Sequence, residues 1–209
     1  MTKEKILILI IVVMTLISII VPNILRKKYQ DRFINLFQQK KFDELETLLA
    51  KKTVKYLFMP FNIEYMRLNI AFMKGDEDAI NKQFSLFAKM PMNKKQKEDI
   101  YIKAFNYYVT MEDIERAKKA YELVQSLKDE KIKKSADITY DIFCEKGYKY
   151  LDELEKGMES CPADLKSYNA YLVSLMYANK GDQKKAEKYK EMAKSFLPNN
   201  KEEKNDNNN

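Results

Sequence analysis

A chain of 209 residues with only 4 glycines and 5 prolines is poor in turn formers. That argues against β-sandwiches, Rossmann units and phosphate loops, all of which place glycine in their turns. Histidine is absent, removing the commonest general base and metal ligand, and two cysteines cannot complete a four-thiolate zinc site. The net charge of +7 sits on 33% charged residues of both signs, a modest excess rather than the basic stripe of a nucleic-acid binder. Abundant Lys, Glu, Leu, Met and Ala favour an all-α fold, with no cofactor, metal or nucleic acid expected.

Residues 1–5 form a short polar flank. Residues 6–25 read ILILIIVVMTLISIIVPNIL, without a charge, between Lys5 and Arg26. Twenty residues at about 1.5 Å each rise roughly 30 Å, the thickness of a bilayer's hydrocarbon core. A cleaved signal peptide would need small residues before a cut site, and none follow this run. The expectation is therefore an uncleaved single-pass transmembrane anchor, with Pro22 near its end, where a missing backbone bond is least harmful. Lys3 and Lys5 precede the run; Arg26, Lys27, Lys28 and Arg32 follow it. By the positive-inside rule this leans the following domain towards the cytoplasmic side of the cell membrane, although a basic opening also precedes many segments that leave the C-terminus outside. Lys27, Lys28 and Arg32 are candidates for contact with the lipid surface, and they also serve simply to stop the span.

Residues 26–198 divide into about five helical hairpins. The first turns at Lys40-Lys41-Phe42, between residues 33–37 and 45–49. The second turns at Lys74-Gly75-Asp76 and closes at Pro91. The third turns at Met111-Glu112-Asp113, followed by Ala117, Ala120 and Tyr121 at helical spacing. The fourth turns at Lys146-Gly147-Tyr148, followed by Leu151, Leu154 and Met158, and closes at Pro162. The fifth turns at Lys180-Gly181-Asp182 and ends at Pro198. From Lys40 through Gly75, Glu112 and Lys146 to Gly181 the steps are 35, 37, 34 and 35 residues. A near-constant period with corners in register is the pattern of stacked helical hairpins. Residues 199–209 contain no apolar side chain and are expected to be disordered.

The last hairpin carries Ser174, Tyr177, Gly181-Asp182, Ala186, Ala193 and Pro198. Small residue, aromatic, Gly-Asp turn, two alanines and a closing proline together resemble the tetratricopeptide repeat. Upstream units depart from it: Phe33, Leu68 and Phe105 are large where Ser174 is small, which implies wider or differently angled helix pairs. The resemblance implies an α-solenoid whose concave surface, lined by the first helix of each hairpin, grips a segment of another protein. The family's groove-facing positions, six and ten residues before the corner, map to Tyr65 and Asn69, Ile102 and Asn106, and Tyr171 and Leu175. The family's basic clamp for a C-terminal carboxylate is not reproduced; Lys103 is the one nearby cation.

Chemistry is hard to place on this chain. Glu112-Asp113 and Glu153 with Glu155 are acid pairs of the kind usually found on solvated faces. Cys144 and Cys161 fall at opposite ends of the fourth hairpin, too far apart for a disulfide, which leans towards a reducing compartment. The expected function is that of a membrane-anchored scaffold, adaptor or assembly factor, without catalysis. The alternatives are an extracytoplasmic chaperone-like module for exported chains and, more remotely, an enzyme using carboxylates alone. Removing residues 1–26 should leave a soluble chain with a strongly helical circular dichroism spectrum; a β-rich spectrum would overturn the repeat assignment.

Overall fold

The computed structural model describes residues 3–196, with side chains described from residue 11 onward except those at 12, 159, 160, 163 and 164. Pro198 and the polar tail 199–209 lie outside the described residues. Among the described residues the chain forms eleven α-helices and no strand. They divide between two compact units, Met1–Asn93 and Lys94–Asn209.

The first unit holds α1 (Lys3–Gln38), α2 (Phe42–Leu49), α3 (Lys52–Leu57), α4 (Pro60–Lys74) and α5 (Glu77–Phe87). Helix α1 packs against α2 and α3, and α4 against α2 and α5. Its core gathers Phe33 and Leu36 from α1, Leu45, Leu48 and Leu49 from α2, Val54 from α3, and Ile63 and Ile70 from α4. Proline stands at the first position of α4, where its missing N–H has no helical partner to lose. Arg26 Nε donates to the Leu57 carbonyl at 2.9 Å, tying the middle of α1 to the C-terminus of α3.

The expected anchor and the first helix of the first hairpin are one element. Helix α1 runs through Pro22 and past Arg26 without a break. Residues 6–10 and Val12 of the expected span lie outside the described side chains. Among the described residues no helix is long and apolar enough to cross a membrane. Ile11, Val13, Met14, Leu16, Ile17, Ile19, Ile20, Val21 and Ile24 are all exposed, so α1 presents apolar side chains around its whole circumference there.

The second unit holds α6 (Lys94–Thr110), α7 (Ile114–Gln125), α8 (Glu130–Phe143), α9 (Leu151–Ser160), α10 (Ala163–Lys180) and α11 (Gln183–Ser195). Helices α6 and α7 pair, as do α10 and α11, and α8 packs against α7 and α10. The fourth hairpin is the exception: α9 packs mainly on α10 rather than on α8. A core of Ile142, Tyr150, Leu151, Leu172, Val173, Met176, Tyr177 and Ala186 joins α8 to α11.

The corners expected from sequence are where the backbone turns. Among the described residues, those with positive φ are Lys40, Gly75, Glu112, Lys146 and Gly181, the five positions aligned by period. At four of them the residue after the corner donates its N–H five residues back: Lys41 to Leu36, Asp76 to Ala71, Asp113 to Tyr108 and Asp182 to Tyr177, at 2.9–3.0 Å. This Schellman-type closure satisfies carbonyls left open at the helix end. The aspartates of three corners then cap the next helix, with Asp76, Asp113 and Asp182 accepting from Ala79, Arg116 and Lys185 at 3.0–3.1 Å. The fourth corner is wider. There Gly147 N–H donates to the Asp141 carbonyl at 2.7 Å, and the buried Asp141 side chain accepts from Lys149 N–H at 3.1 Å. A Cβ at Gly147 would come within 2.6 Å of Asp141 Cγ, so a larger residue here would displace the Asp141 side chain.

Every corner leads into the same packing. Four residues before it stand Leu36, Ala71, Tyr108, Ile142 and Tyr177, and five after it Leu45, Ile80, Ala117, Leu151 and Ala186; all are buried. Seven before it, Phe33, Leu68, Phe105 and Ser174 are buried too, so the size difference read from sequence falls at an interior position. Cys144 and Cys161, the residues capping the C-termini of α8 and α9, are both free thiols.

The corners make a direct test. Lysine and glutamate in the left-handed region cost roughly 1–2 kcal/mol, partly offset by glycine's greater freedom in the unfolded chain. Lys40→Gly and Glu112→Gly should therefore raise stability by up to about 1 kcal/mol in urea denaturation, and Gly181→Ala should lower it by about 1 kcal/mol. Destabilisation by both glycine replacements would show that these corners are not held in that conformation.

Candidate functional site

Successive first helices of the hairpins leave clefts between them inside each unit. In the first unit a cleft of about 160 Å³ lies between α1 and α4, lined by Gln30, Phe33, Leu49, Phe58, Asn62, Ile63 and Met66. In the second unit a cleft of about 130 Å³ has Ile102, Phe105 and Asn106 of α6 on one side and Ile132, Ser135, Ala136 and Thr139 of α8 on the other, with Val124 beneath. Across α8 lies a larger cleft of about 430 Å³, bounded by Lys134, Ser135, Ile138 and Thr139 of α8, Leu154 of α9, and Tyr168, Asn169 and Leu172 of α10. Ser135 and Thr139 line both, so the two clefts of the second unit meet along one face of α8.

These walls follow from the hairpin geometry. Asn62, Ile63 and Met66 precede Gly75 by thirteen, twelve and nine residues, and Tyr168, Asn169 and Leu172 precede Gly181 by the same intervals. Apolar side chains form the floors, while hydroxyl and amide groups stand at the rims. Such a surface suits an extended or helical peptide, whose backbone needs polar partners and whose side chains need apolar pockets.

The electrostatics add a mixed rim to the larger cleft. Glu130, Lys131 and Lys134 border it. Lys134 Nζ pairs with Glu153 at 2.8 Å, which holds its ammonium above the ordinary lysine range, and stands 4.2 Å from the Tyr150 ring centroid. Burial, and then the neighbouring Tyr171, push the Tyr168 hydroxyl up, so it is a neutral donor at physiological pH.

The residues chosen from sequence fall unevenly on this surface. Ile102 and Asn106 line the α6–α8 cleft as expected. The others do not line the three clefts. Tyr65 stacks on Phe61 at 5.7 Å, and Asn69 is half-buried on α4. Lys103 pairs with Asp99 at 2.6 Å. Tyr171 is exposed outside the larger cleft, and Leu175 packs against the core of the second unit. Lys27, Lys28 and Arg32 are exposed on α1. Sequence reasoning missed Asn62, Met66, Tyr168, Asn169 and Leu172. They stand thirteen, twelve and nine residues before the corner, against ten and six for the chosen residues, and their repeated interval was the signal that could have found them.

The paired acids are engaged in structural roles. Asp113 caps α7 and pairs with Arg116 at 2.7 Å, and Glu112 is the corner residue itself. Glu155 Oε1 accepts from the Tyr177 and Tyr189 hydroxyls, both at 2.7 Å. Among the described residues no group of three or more His, Cys, Asp or Glu could hold a metal ion, and the three clefts contain one carboxylate between them, Glu130. No known family model, curated protein or solved structure matches this chain. The fold defines an all-α protein of helical hairpins, compatible with a helical repeat.

The Glu155 network fixes α9, and with it Leu154, against α10 and α11. Burial opposes ionisation of Glu155, but the hydroxyls of Tyr189 and Tyr177 and the charge of Lys185 outweigh it, so its carboxyl titrates below the ordinary value of 4.5. Burial, then the hydrogen bond to Glu155, pushes Tyr177 and Tyr189 up to about 12. The sign follows for each group. The carboxylate's contribution is complete above its unfolded value and is lost as pH falls through its folded one. The tyrosines' contribution is complete below 10.0 and is lost as pH rises towards about 12. Tyr189→Phe should cost about 1.5–3 kcal/mol at neutral pH by urea denaturation, with the cost shrinking near pH 3. An equal cost at both pH values would remove Glu155 ionisation from the account.

Proposed function

We propose that this protein is a membrane-anchored, tetratricopeptide-like interaction module, a scaffold, adaptor or assembly factor that holds a segment of another protein beside the bilayer. The observation that carries the reading is the pair of clefts meeting at Ser135 and Thr139, which offers one run of surface across α6, α8 and α10. An extended chain crossing that face would bury apolar side chains on either side of α8 and find hydroxyl and amide partners along the way. No reaction is assigned to the module.

The anchoring half of the reading is supported by residues 6–25 and by the exposed apolar side chains that surround α1 from Ile11 to Ile24. In water this many exposed apolar groups would be a strong aggregation liability; in lipid they need no partner. The basic residues after the run lean the repeat domain towards the cytoplasmic face.

A photo-crosslinking residue at Tyr168 or at Ser135 of the full chain should yield a partner adduct in cells, and one at Lys118, exposed on α7, should not. Equal labelling from all three positions would sink the assignment of the α8 face. Alkaline phosphatase fused after Asn209 should be inactive; activity would place the domain outside and favour the chaperone-like alternative.

A further inference from the structure

Helix α3 has no counterpart in the sequence-based repeat pattern. It is a single six-residue helix between the first two hairpins, held in place by the buried Val54 and Leu57. Its other side is unlike the rest of the first unit. Lys51, Lys52, Lys55, Tyr56 and Met59 are all exposed, Tyr56 at 83% and Met59 at 68%. From Lys51 to Ile63 the sequence contains three lysines and no acid. Exposing an aromatic ring and a methionine so fully, beside three cations, has no role in the unit's own core.

The position of α3 along α1 gives this surface its meaning. The Arg26 bond to the Leu57 carbonyl places the C-terminus of α3 within one arginine's reach of α1's residue 26. Arg26 directly follows the last residue of the apolar run. Tyr56, next to Leu57, therefore stands near the level at which the run ends. In a membrane-anchored chain that level is the headgroup region, where tyrosine is enriched and where lysines gain from anionic lipid.

We infer that α3 is a second membrane contact, in which Tyr56 and Met59 enter the interface and Lys51, Lys52 and Lys55 bind anionic lipid headgroups. This rests on the anchored reading of residues 6–25 and adds to it a fixed orientation. One helix through the bilayer leaves the domain free to rotate about the helix axis. A second contact beside it presses one side of the first unit to the surface. Lys27 and Lys28, exposed on α1 just past Arg26, extend the same positive field.

The chain contains no tryptophan, so one introduced residue reports its own surroundings. Full-length Tyr56→Trp should be reconstituted in phosphatidylcholine vesicles, with and without phosphatidylserine, carrying doxyl quenchers at shallow or deep positions. Ile17→Trp, in the middle of the apolar run, reports the anchor itself. The expected result is deep quenching of Ile17→Trp, with shallow quenching of Tyr56→Trp that strengthens when phosphatidylserine is present. Adding Lys52→Glu and Lys55→Glu should reduce the phosphatidylserine-dependent part by roughly fivefold or more. Quenching at Ile17→Trp with none at Tyr56→Trp would overturn the α3 contact and leave the anchor standing. Equal shallow quenching in neutral and anionic vesicles would overturn the headgroup assignment. Absence of quenching at both positions would remove the anchor, and this inference with it.

Discussion

A left-handed residue at each corner is the constraint on which the hairpins depend. It reverses the chain within three residues and fixes the rotational phase of the second helix against the first. Once that phase is set, the residue four before the corner and the residue five after it must both face inward. They do so in all five cases, from Leu36 and Leu45 to Tyr177 and Ala186. Glycine takes the corner in two of them, while Lys40, Glu112 and Lys146 adopt it against their preference. Burying a leucine or isoleucine side chain contributes about 1.5–3 kcal/mol, so Leu36 and Leu45 beside Lys40, and Ile142 and Leu151 beside Lys146, offset the backbone strain there. Tertiary packing here overrides local propensity, and the corner survives loss of the residue best suited to it.

The same constraint explains why the clefts exist. A corner fixes the phase of a helix pair but not its spacing, which follows side-chain size. Phe33 and Phe105 occupy the position held by Ser174 in the last hairpin, and both line clefts as well as being buried. A large ring there fills the interior of its own hairpin and leaves its edge available to the next. The fourth hairpin departs furthest. Its corner is opened by Asp141 and Gly147, and α9 leaves α8 to join α10. The largest of the three clefts lies along this departure, bordered by α8, α9 and α10.

The all-helical fold and all five corners were legible in the sequence because each corner leaves a local trace. Gly-Asp marks two of them, Glu-Asp a third, and the buried positions on either side recur at fixed intervals. Helix α3 left no such trace: Lys51 supplies no side-chain cap, and six residues are too few for a periodic pattern. The continuity of α1 was also hidden, because a change from apolar to basic residues reads as a boundary while the backbone passes through it unbroken. The candidate site was half legible. Asn69 and Leu175 lie seven residues from Asn62 and Tyr168, nearly two full turns, and so occupy nearly the same angular stripe of their helices. For these two the displacement is along the axis by roughly 10 Å, whereas Tyr65 and Tyr171 miss Met66 and Leu172 by one residue, about 100° around the helix.

Continuity of α1 joins the apolar run to the cleft of the first unit. Phe33, in the core of the first unit, and Gln30, on the wall of its cleft, stand on the same helix as the apolar run. From residue 25 to Gln30 is five residues, about 8 Å of helix, without a hinge between. That distance is close to one Debye length at physiological salt. In an anchored chain the cleft between α1 and α4 would therefore lie within the field of the lipid headgroups, and a rigid helix could not carry it out. A basic peptide approaching this cleft would be drawn by the anionic surface, and an acidic one repelled by it, whatever the cleft itself contributes. In an anchored chain the membrane would thus contribute to recognition at this cleft, acting through helix length rather than through any side chain of the cleft.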